Sequence, residues 1–565
     1  MLFILISWLY ILATSSVIGI TVNRVLQLQK QDVVITLFFG FFGVSLITGF
    51  WAIPLAINLN FYSALFIIVL VLGLLNRKQL VNYWKQFIAE ILVLHSFFKG
   101  FLVIISVLIL AQCASPPFIV DNESYYIQTI KWLNEYGLVH GLVNLHPFLG
   151  QTSGWHILQS AFNFSFIYNG FNDLSGLALL LGNVYGIFKL NAFVTKKEKS
   201  KLNLAFGLFP LWNVFFFQFI SAPSPDVAIY VLSFILIHQF IVCYSNYTKH
   251  SFLAVAMLAL FISFIKLTGL VFCLFPLILY KRYYIYTRAS TSILVLFGSL
   301  TLLLFAVKNL ILSGNLLFPF QGIDSLKAAW CLPHSIETYF ANYMQPYGYH
   351  LSPEAYEKAS IAFRLKTWLF APLPHGLFNI VMIGFLVIIP FVIRKFFNTK
   401  AFWIIYGIAI LNMIALFFSS PQYRFFFPFI LGFSLLIASL VVMHKNSIKV
   451  LLVTCTLLAA IPMFFQINNR HLTKNKHHAT SSQFSLEYLI HPHENSKYSK
   501  AYTTIKLGET TLYTPTHVDF FWGTGDIPLP ALNKAQLDYF KTYFKVIPQQ
   551  RTNDLKDGFI SKKIE

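Results

Sequence analysis

Two carboxylates, Asp121 and Glu123, stand in the run Val120-Asp121-Asn122-Glu123-Ser124-Tyr125-Tyr126, inside a chain that is otherwise largely hydrocarbon-compatible. A carboxylate in or beside lipid costs several kcal/mol unless it meets water, a partner or a substrate. A third acid, Asp226, closes the Pro-rich turn Ser224-Pro225-Asp226. The bases that accompany them are as isolated. Lys266 falls between two apolar segments, and Arg424 sits in Pro421-Gln422-Tyr423-Arg424. Arg364 and Lys366 follow Ser313-Gly314-Asn315-Leu316-Leu317-Phe318-Pro319-Phe320. Arg and Lys donors match phosphate oxygens, and a carboxylate can take a proton from a hydroxyl. The combination suits a general base beside a clamp for a phosphorylated ligand. Each residue also has a plain structural use. Asp121 and Asp226 suit helix N-caps, and Glu123 suits a first-turn charge on the helix dipole. Lys266 suits a snorkelling lysine and Arg424 an interfacial anchor. His146, followed by Pro147, suits a turn.

The elements that must position these groups are apolar helices. Of 565 residues, 57% are hydrophobic and only 11% are charged, against about a quarter charged in soluble domains. The chain reads as an all-α polytopic membrane protein. With roughly 20 apolar residues needed per crossing, spans fall at 2–21, 33–57, 61–75 and a segment ending near Ala111. More follow at 174–193, 202–220, 227–244, 252–265, 267–280 and 292–312, then at 377–393, 402–418, 425–443 and 450–467, about 14 transmembrane helices in all. The net charge of +20 is spread over short loops rather than clustered, which favours topology over nucleic-acid binding as its cause. Arg24, Lys30, Arg77, Lys78, Lys85, the Lys196–Lys201 group, Lys249, Lys281, Arg282, Arg288, Arg394, Lys395, Lys400, Lys445 and Lys449 mark one face as cytoplasmic. The alternation holds only if 252–280 is two short helices split at Lys266. Asp121, Asp226, Lys266 and Arg424 then share the opposite face.

Outer loops are expected at 113–172 and 313–376. In the first, a helix from Asn122 with Tyr126, Ile130, Leu133 and Gly137 on one face suits the membrane surface, and 155–168 reads as a second interfacial or re-entrant helix. Residues 1–100 form extra N-terminal helices, 101–467 the membrane core, and 468–565 a small soluble α+β domain. Within that domain, Thr503–Leu507 and Thr511–Tyr513 around Gly508 suggest a hairpin. Trp522-Gly523-Thr524-Gly525-Asp526 either presents an acceptor or braces the loops. The 5 Cys show no CxxC and no metal-ligand spacing. Cys113 and Cys331 fall on one side, which permits a disulfide without requiring it.

Over roughly 102–443 the pattern resembles the GT-C superfamily of integral-membrane glycosyltransferases. Asp121-Asn122-Glu123-Ser124-Tyr125-Tyr126 stands where that family has an acidic motif in its first large outer loop. Ser224-Pro225-Asp226 is similar to its second acid, Ile265-Lys266-Leu267-Thr268-Gly269 to a short helix pair, and Pro421-Gln422-Tyr423-Arg424 to a late Pro-x-x-Arg turn. The resemblance implies transfer of a sugar from a polyprenyl-phosphate donor to a glycan, lipid or protein acceptor on the outer face of a bacterial inner membrane. It implies Asp121 as general base with Glu123 as rival, Asp226 assisting, and Lys266, Arg424 and Arg364 at the donor phosphate. Tyr125, Tyr126 and His146 are the candidates for substrate contact, with anchoring of the interfacial helix the favoured use of the two tyrosines. A divalent cation, Mg or Mn, has a place only on Asp121 and Asp226, and no other cofactor is implied. No nucleic-acid partner is expected; membrane lipid is. A lipid-linked polysaccharide polymerase, leaning on Arg364 and Arg424, and a flippase with charges at the bilayer midplane are the competing readings.

Overall fold

The computed structural model describes residues 1–28, 32–168, 170–171, 173–195, 200–319, 328–473, 475–518 and 520–564. Lys30, Lys196, Lys197, Lys199 and Phe320 lie outside them. Among the described residues, 11 helices are long and apolar enough to cross a membrane, or 12 if one bent pair is a single span. The chain is thus a polytopic helical membrane protein with a small two-sheet C-terminal region.

The first half consists of α1 (Leu2–Val25), α2 (Val33–Ala52), α3 (Leu59–Leu75), α4 (Arg77–Leu92), α5 (Ser96–Cys113), α6 (Ile127–Glu135), α7 (Gly154–Ser160) and α8 (Leu174–Thr195). Next come α9 (Lys201–Gly207) and α10 (Asn213–Phe216), two pieces of one apolar stretch interrupted near Pro210. α11 (Pro225–Ser245), α12 (Lys249–Ile265), α13 (Leu274–Arg282), α14 (Tyr284–Thr287) and α15 (Thr291–Ser313) follow. α16 (His334–Gly348), α17 (Pro353–Lys358) and α18 (Ile361–Leu369) precede the closing set α19 (His375–Phe396), α20 (Lys400–Phe418), α21 (Tyr423–Val441) and α22 (Lys445–Phe464). Among the helices of crossing length, the most enclosed are α2 and α11, which carry apolar residues on every side, as expected of helices surrounded by others.

All the apolar segments read from the sequence are helical, but fewer of them reach crossing length. α3 stops at 17 residues and turns by 88° into α4, an amphipathic helix where the sequence suggested only a basic loop. α12 also has 17 residues, and 267–280 divides into a 3₁₀ turn, Leu267–Cys273, and α13. The expected break at Lys266 is real. Its backbone is extended (φ −156°, ψ 135°), and the chain doubles back so closely that a Cβ on Gly269 would stand 2.9 Å from the Ile262 carbonyl oxygen.

The described basic loops meet at one end of the helices. Arg24 donates to Asn76 at the α3–α4 elbow (3.3 Å), Lys249 to Gln27 (3.5 Å), and Lys445 Nζ lies 3.2 Å from the His95 ring. The acidic loop lies with the C-terminal region. There β1 (Tyr502–Leu507) and β2 (Thr510–Pro515) pair antiparallel as expected. Gly508, at φ +59°, makes the turn, a left-handed conformation that glycine adopts at little cost. β3 (Val546–Gln550) and β4 (Phe559–Lys563) form a second antiparallel pair beyond α23 (Lys534–Tyr539).

Three expectations are corrected. Asp121 is not an N-cap: it is already helical (φ −61°, ψ −24°), without a side-chain capping bond, and a π-helical turn over Asn122–Tyr126 carries the chain into α6. The helix that follows is not laid open along a surface. α6 is buried on nearly every side, because Gln128 donates to the Gly525 and Ile527 carbonyls and Lys131 pairs with Asp526 at 3.1 Å. α7 is likewise buried throughout. Finally, no disulfide joins Cys113 to Cys331. Cys113 donates to the Ile220 carbonyl (3.5 Å), and Cys331 lies against Gly314.

Candidate functional site

Four of the charged residues singled out by type meet in one place, each delivered by an interrupted helix. Pro116 and Pro117 end α5, since proline lacks the donor a helix needs, and the turn that follows carries Asp121. Ser224 begins α11 and Pro225 takes its first position, setting Asp226 in the first turn, where the helix dipole favours an anion. Lys266 marks the end of α12. Arg424 is the second residue of α21, after the turn Ser420-Pro421-Gln422. That turn is held firmly: Trp368 Nε1 donates to the Pro421 carbonyl (2.6 Å) and Ser420 Oγ to the Met344 carbonyl (2.8 Å).

The charges alternate. Arg424 Nη1 donates to Asp121 Oδ2 at 2.9 Å and lies 3.8 Å from Asp226 Oδ2, whose other oxygen accepts from Lys266 Nζ at 2.6 Å. Arg424 Nε donates to Gln422 Oε1 (2.9 Å). The Phe425 ring lies 4.8 Å from Lys266 Nζ and 5.2 Å from Arg424 Cζ, within cation–π range of both. Two acids and two bases balance, so the group tolerates partial burial without a counter-ion. The four side chains keep between 14% and 29% of their exposure.

Buried and half-buried neutral groups surround this ring of charge. Tyr125 stacks on Phe148 (5.4 Å, 20°), and burial together with the Asp121 charge pushes its phenol up. His156 is fully buried against Tyr126 (4.5 Å between rings), and burial, aided by Lys266, pushes it down to about 3, so the imidazole is neutral. His478 accepts from the Val120 N–H (3.3 Å), and burial and Lys497 push it down to about 4. Gln422, His156 and His478 escaped the sequence reading. A glutamine two residues before an isolated arginine and a histidine pair, His477-His478, in a polar tail were the only signals available.

The other expected site residues lie elsewhere. Glu123 is 1% exposed. It accepts from Ser496 Oγ (2.5 Å) and the Lys497 N–H (3.1 Å), while its own carbonyl accepts from the Thr524 and Gly525 N–H groups. Burial pushes its carboxyl up to about 7, against the pull of these donors. It fastens the C-terminal region, and the 522–526 segment acts as a brace. His146 caps the 3₁₀ turn Pro147–Gln151 through Nδ1, with Nε2 3.1 Å from the Trp522 carbonyl, and burial holds it down at about 4. Arg364 stacks on Tyr356 (3.8 Å) and donates to that residue's carbonyl (3.1 Å), so it does not join the cluster. Tyr126 is 2% exposed and presents no face to solvent. Lys366 is exposed on α18.

A family model described as a domain of unknown function, DUF8201, matches residues 1–431. The chain belongs to that family. The matched span contains Asp121, Asp226, Lys266 and Arg424 and stops short of the residues that hold Glu123. No curated protein matches the chain.

Proposed function

We propose that this DUF8201 protein is a membrane glycosyltransferase that moves a sugar from a polyprenyl-phosphate donor to an acceptor hydroxyl on the outer face of a bacterial inner membrane. The observation that carries the reading is the alternating cluster Asp121–Arg424–Asp226–Lys266. It is a partly open site with acceptors and cationic donors side by side at the ends of helices. The positive-inside rule supports a cytoplasmic position for the basic loops at the other end.

In the step we propose, the acceptor oxygen attacks the anomeric carbon while its proton passes to the Asp121 carboxylate. The new C–O bond forms as the bond from the anomeric carbon to the phosphate oxygen breaks. The electron pair leaves with the lipid phosphate, where charge develops. Fixed donors aimed at that charge lower the barrier. A guanidinium has five N–H donors, so Arg424 can hold Gln422 and Asp121 and still turn others to the phosphate. Lys266 supplies a second cation, and Asp226 keeps both in place. Inversion at the sugar carbon follows from the GT-C resemblance.

A divalent cation fits these residues poorly. Arg424 already lies against both carboxylates, and the described residues hold no group of three or more metal-ligating side chains. The flippase reading is less favoured, because the cluster sits in first turns and at helix ends rather than midway along spans. The test is incorporation of labelled sugar from polyprenyl-phosphate donors by membranes containing wild type or Asp121→Asn at equal protein level. Normal transfer by the variant would remove Asp121 as base. Translocation of a lipid-linked sugar without transfer would favour a flippase.

A further inference from the structure

A row of tyrosines runs from the charge cluster onto the C-terminal region. Tyr347, Tyr343 and Tyr339 stand four residues apart along α16, so they share one face of that helix. Their rings follow at 5.9 and 6.1 Å, tilted by 31° and 24°. Tyr339 then meets Tyr539 at the end of α23 (5.9 Å, 41°), and Tyr539 meets Tyr543 (4.4 Å, 37°). Phe544 and Phe521 pack beside this junction. No step in the row is edge-on.

Both ends of the row are open: Tyr347 is 45% exposed and Tyr543 is 68% exposed. The inner end is anchored to the site. Ser420, in the turn that carries Arg424, donates to the Met344 carbonyl of α16, and the Tyr347 phenol lies within the fields of Arg424 and Asp121. The row therefore starts where the proposed reaction occurs and leads away along a surface.

We propose that this row is the acceptor track and that the acceptor is a saccharide chain, an inference that rests on the transferase reading. A pyranose offers a C–H face that stacks on an aromatic ring and an equatorial edge of hydroxyls that pairs with phenols. Tyrosine supplies both. The first three steps, 5.9, 6.1 and 5.9 Å, are on the scale of one sugar unit, so successive units can meet successive rings, and the last step of 4.4 Å sets Tyr543 beside Tyr539 at the outer end. Stacking platforms of this kind hold polymers without requiring many charged contacts. A protein acceptor would call for backbone-pairing groups or charged pockets, which the row does not offer. A lipid acceptor would need hydrocarbon walls rather than phenols.

The test uses the full chain in detergent micelles and three neutral probes, cellohexaose, maltohexaose and chitohexaose, with binding read by intrinsic fluorescence and no donor present. Wild type should bind at least one probe, and Tyr343→Ala and Tyr543→Ala should each weaken that binding about tenfold, in line with ring-stacking contributions. Tyr343→Trp should keep it. Arg364→Ala, outside both the charge cluster and the row, should bind as wild type does, which ties the losses to the row. If wild type bound the probe but transferred no sugar in the separate labelled-donor assay, the row would stand as a saccharide-binding surface, and the transferase reading, with the acceptor role, would fall. Absence of binding to all three, or equal binding by the alanine variants, overturns the track. So does a loss in those variants of binding to phosphatidylglycerol vesicles alone, since the row would then be an interfacial anchor.

Discussion

Asp121 and Glu123 are two positions apart on one helical turn and have opposite surroundings. Asp121 keeps a quarter of its side-chain exposure and meets a guanidinium. Glu123 is 1% exposed and meets a serine hydroxyl and a backbone N–H. Residues i and i+2 face away from each other on a helix, so one turn serves two sides. The side toward α11 and α21 assembles partly exposed, compensated charge, and the side toward the C-terminal region is sealed by hydrogen bonds from neutral donors. The acid we propose as base differs from the structural one in its partner, not in its type.

The sharpest way to break this comparison is to exchange the roles. Asp121→Asn should lower sugar transfer by about 10²–10⁴-fold, the usual contribution of a positioned base, with thermal stability near wild type. Glu123→Gln should transfer sugar at a rate within a fewfold of wild type. If the second variant lost transfer at unchanged stability, Glu123 would be the base and the comparison would invert.

Next comes pH. Glu123 is raised from 4.5 to about 7, so the folded chain retains a proton that the unfolded chain releases. The stability contributed by that proton is complete below pH 4.5 and is lost as pH rises toward 7, a change of roughly 3 kcal/mol at most. Glu123→Gln should remove this slope. Buried histidines such as His146, pushed down by burial, give the opposite slope, being stabilising above their unfolded value and less so as pH falls. They cancel in the difference between melting profiles of wild type and variant, which is the quantity to measure.

A smaller effect should follow from cutting the charged ring at its least exposed pair. Asp226→Asn leaves Lys266 without its carboxylate. Side-chain exposures of 14% and 26% reduce the ~3–5 kcal/mol of a fully buried pair to roughly 1–2 kcal/mol. Adding Lys266→Met should recover part of the loss in a thermal melt. Smallest of all, Arg364→Ala should leave transfer unchanged and stability within about 0.5 kcal/mol. A large loss of transfer would bring Arg364 into the site and favour the polymerase reading.

Much of the fold was legible because lipid-compatible segments carry their own signal. The break at Lys266 followed from charge alternation, and the β1–β2 hairpin from strand composition around Gly508. Helix α4 was missed because Arg77, Lys78, Lys85 and Glu90 cancel its apolar face in any average over a window. The site was legible as a set of residue types but not as a geometry. Arg424 meets Asp121 across 303 positions, and Ser496 meets Glu123 across 373. No local spacing encodes such pairings. The tyrosines of α16 did carry a signal, a spacing of four on an amphipathic stretch, but nothing in that spacing reveals that Tyr539 continues the row.

The clasp on Glu123 also sets an order of assembly. The chain emerges N-terminus first, so Asp121 and its neighbours are made long before Ser496, Thr524 and Gly525. The Phe559 N–H, which donates to the His140 carbonyl, follows later still. Until those residues arrive, the acidic turn lacks the donors that fix its shape, and the polar face of α6 is uncovered. The shape of the acidic turn is therefore set by residues 373 or more positions downstream, and a chain that stops before Ser496 can form its helices while the turn that carries Asp121 lacks its clasp.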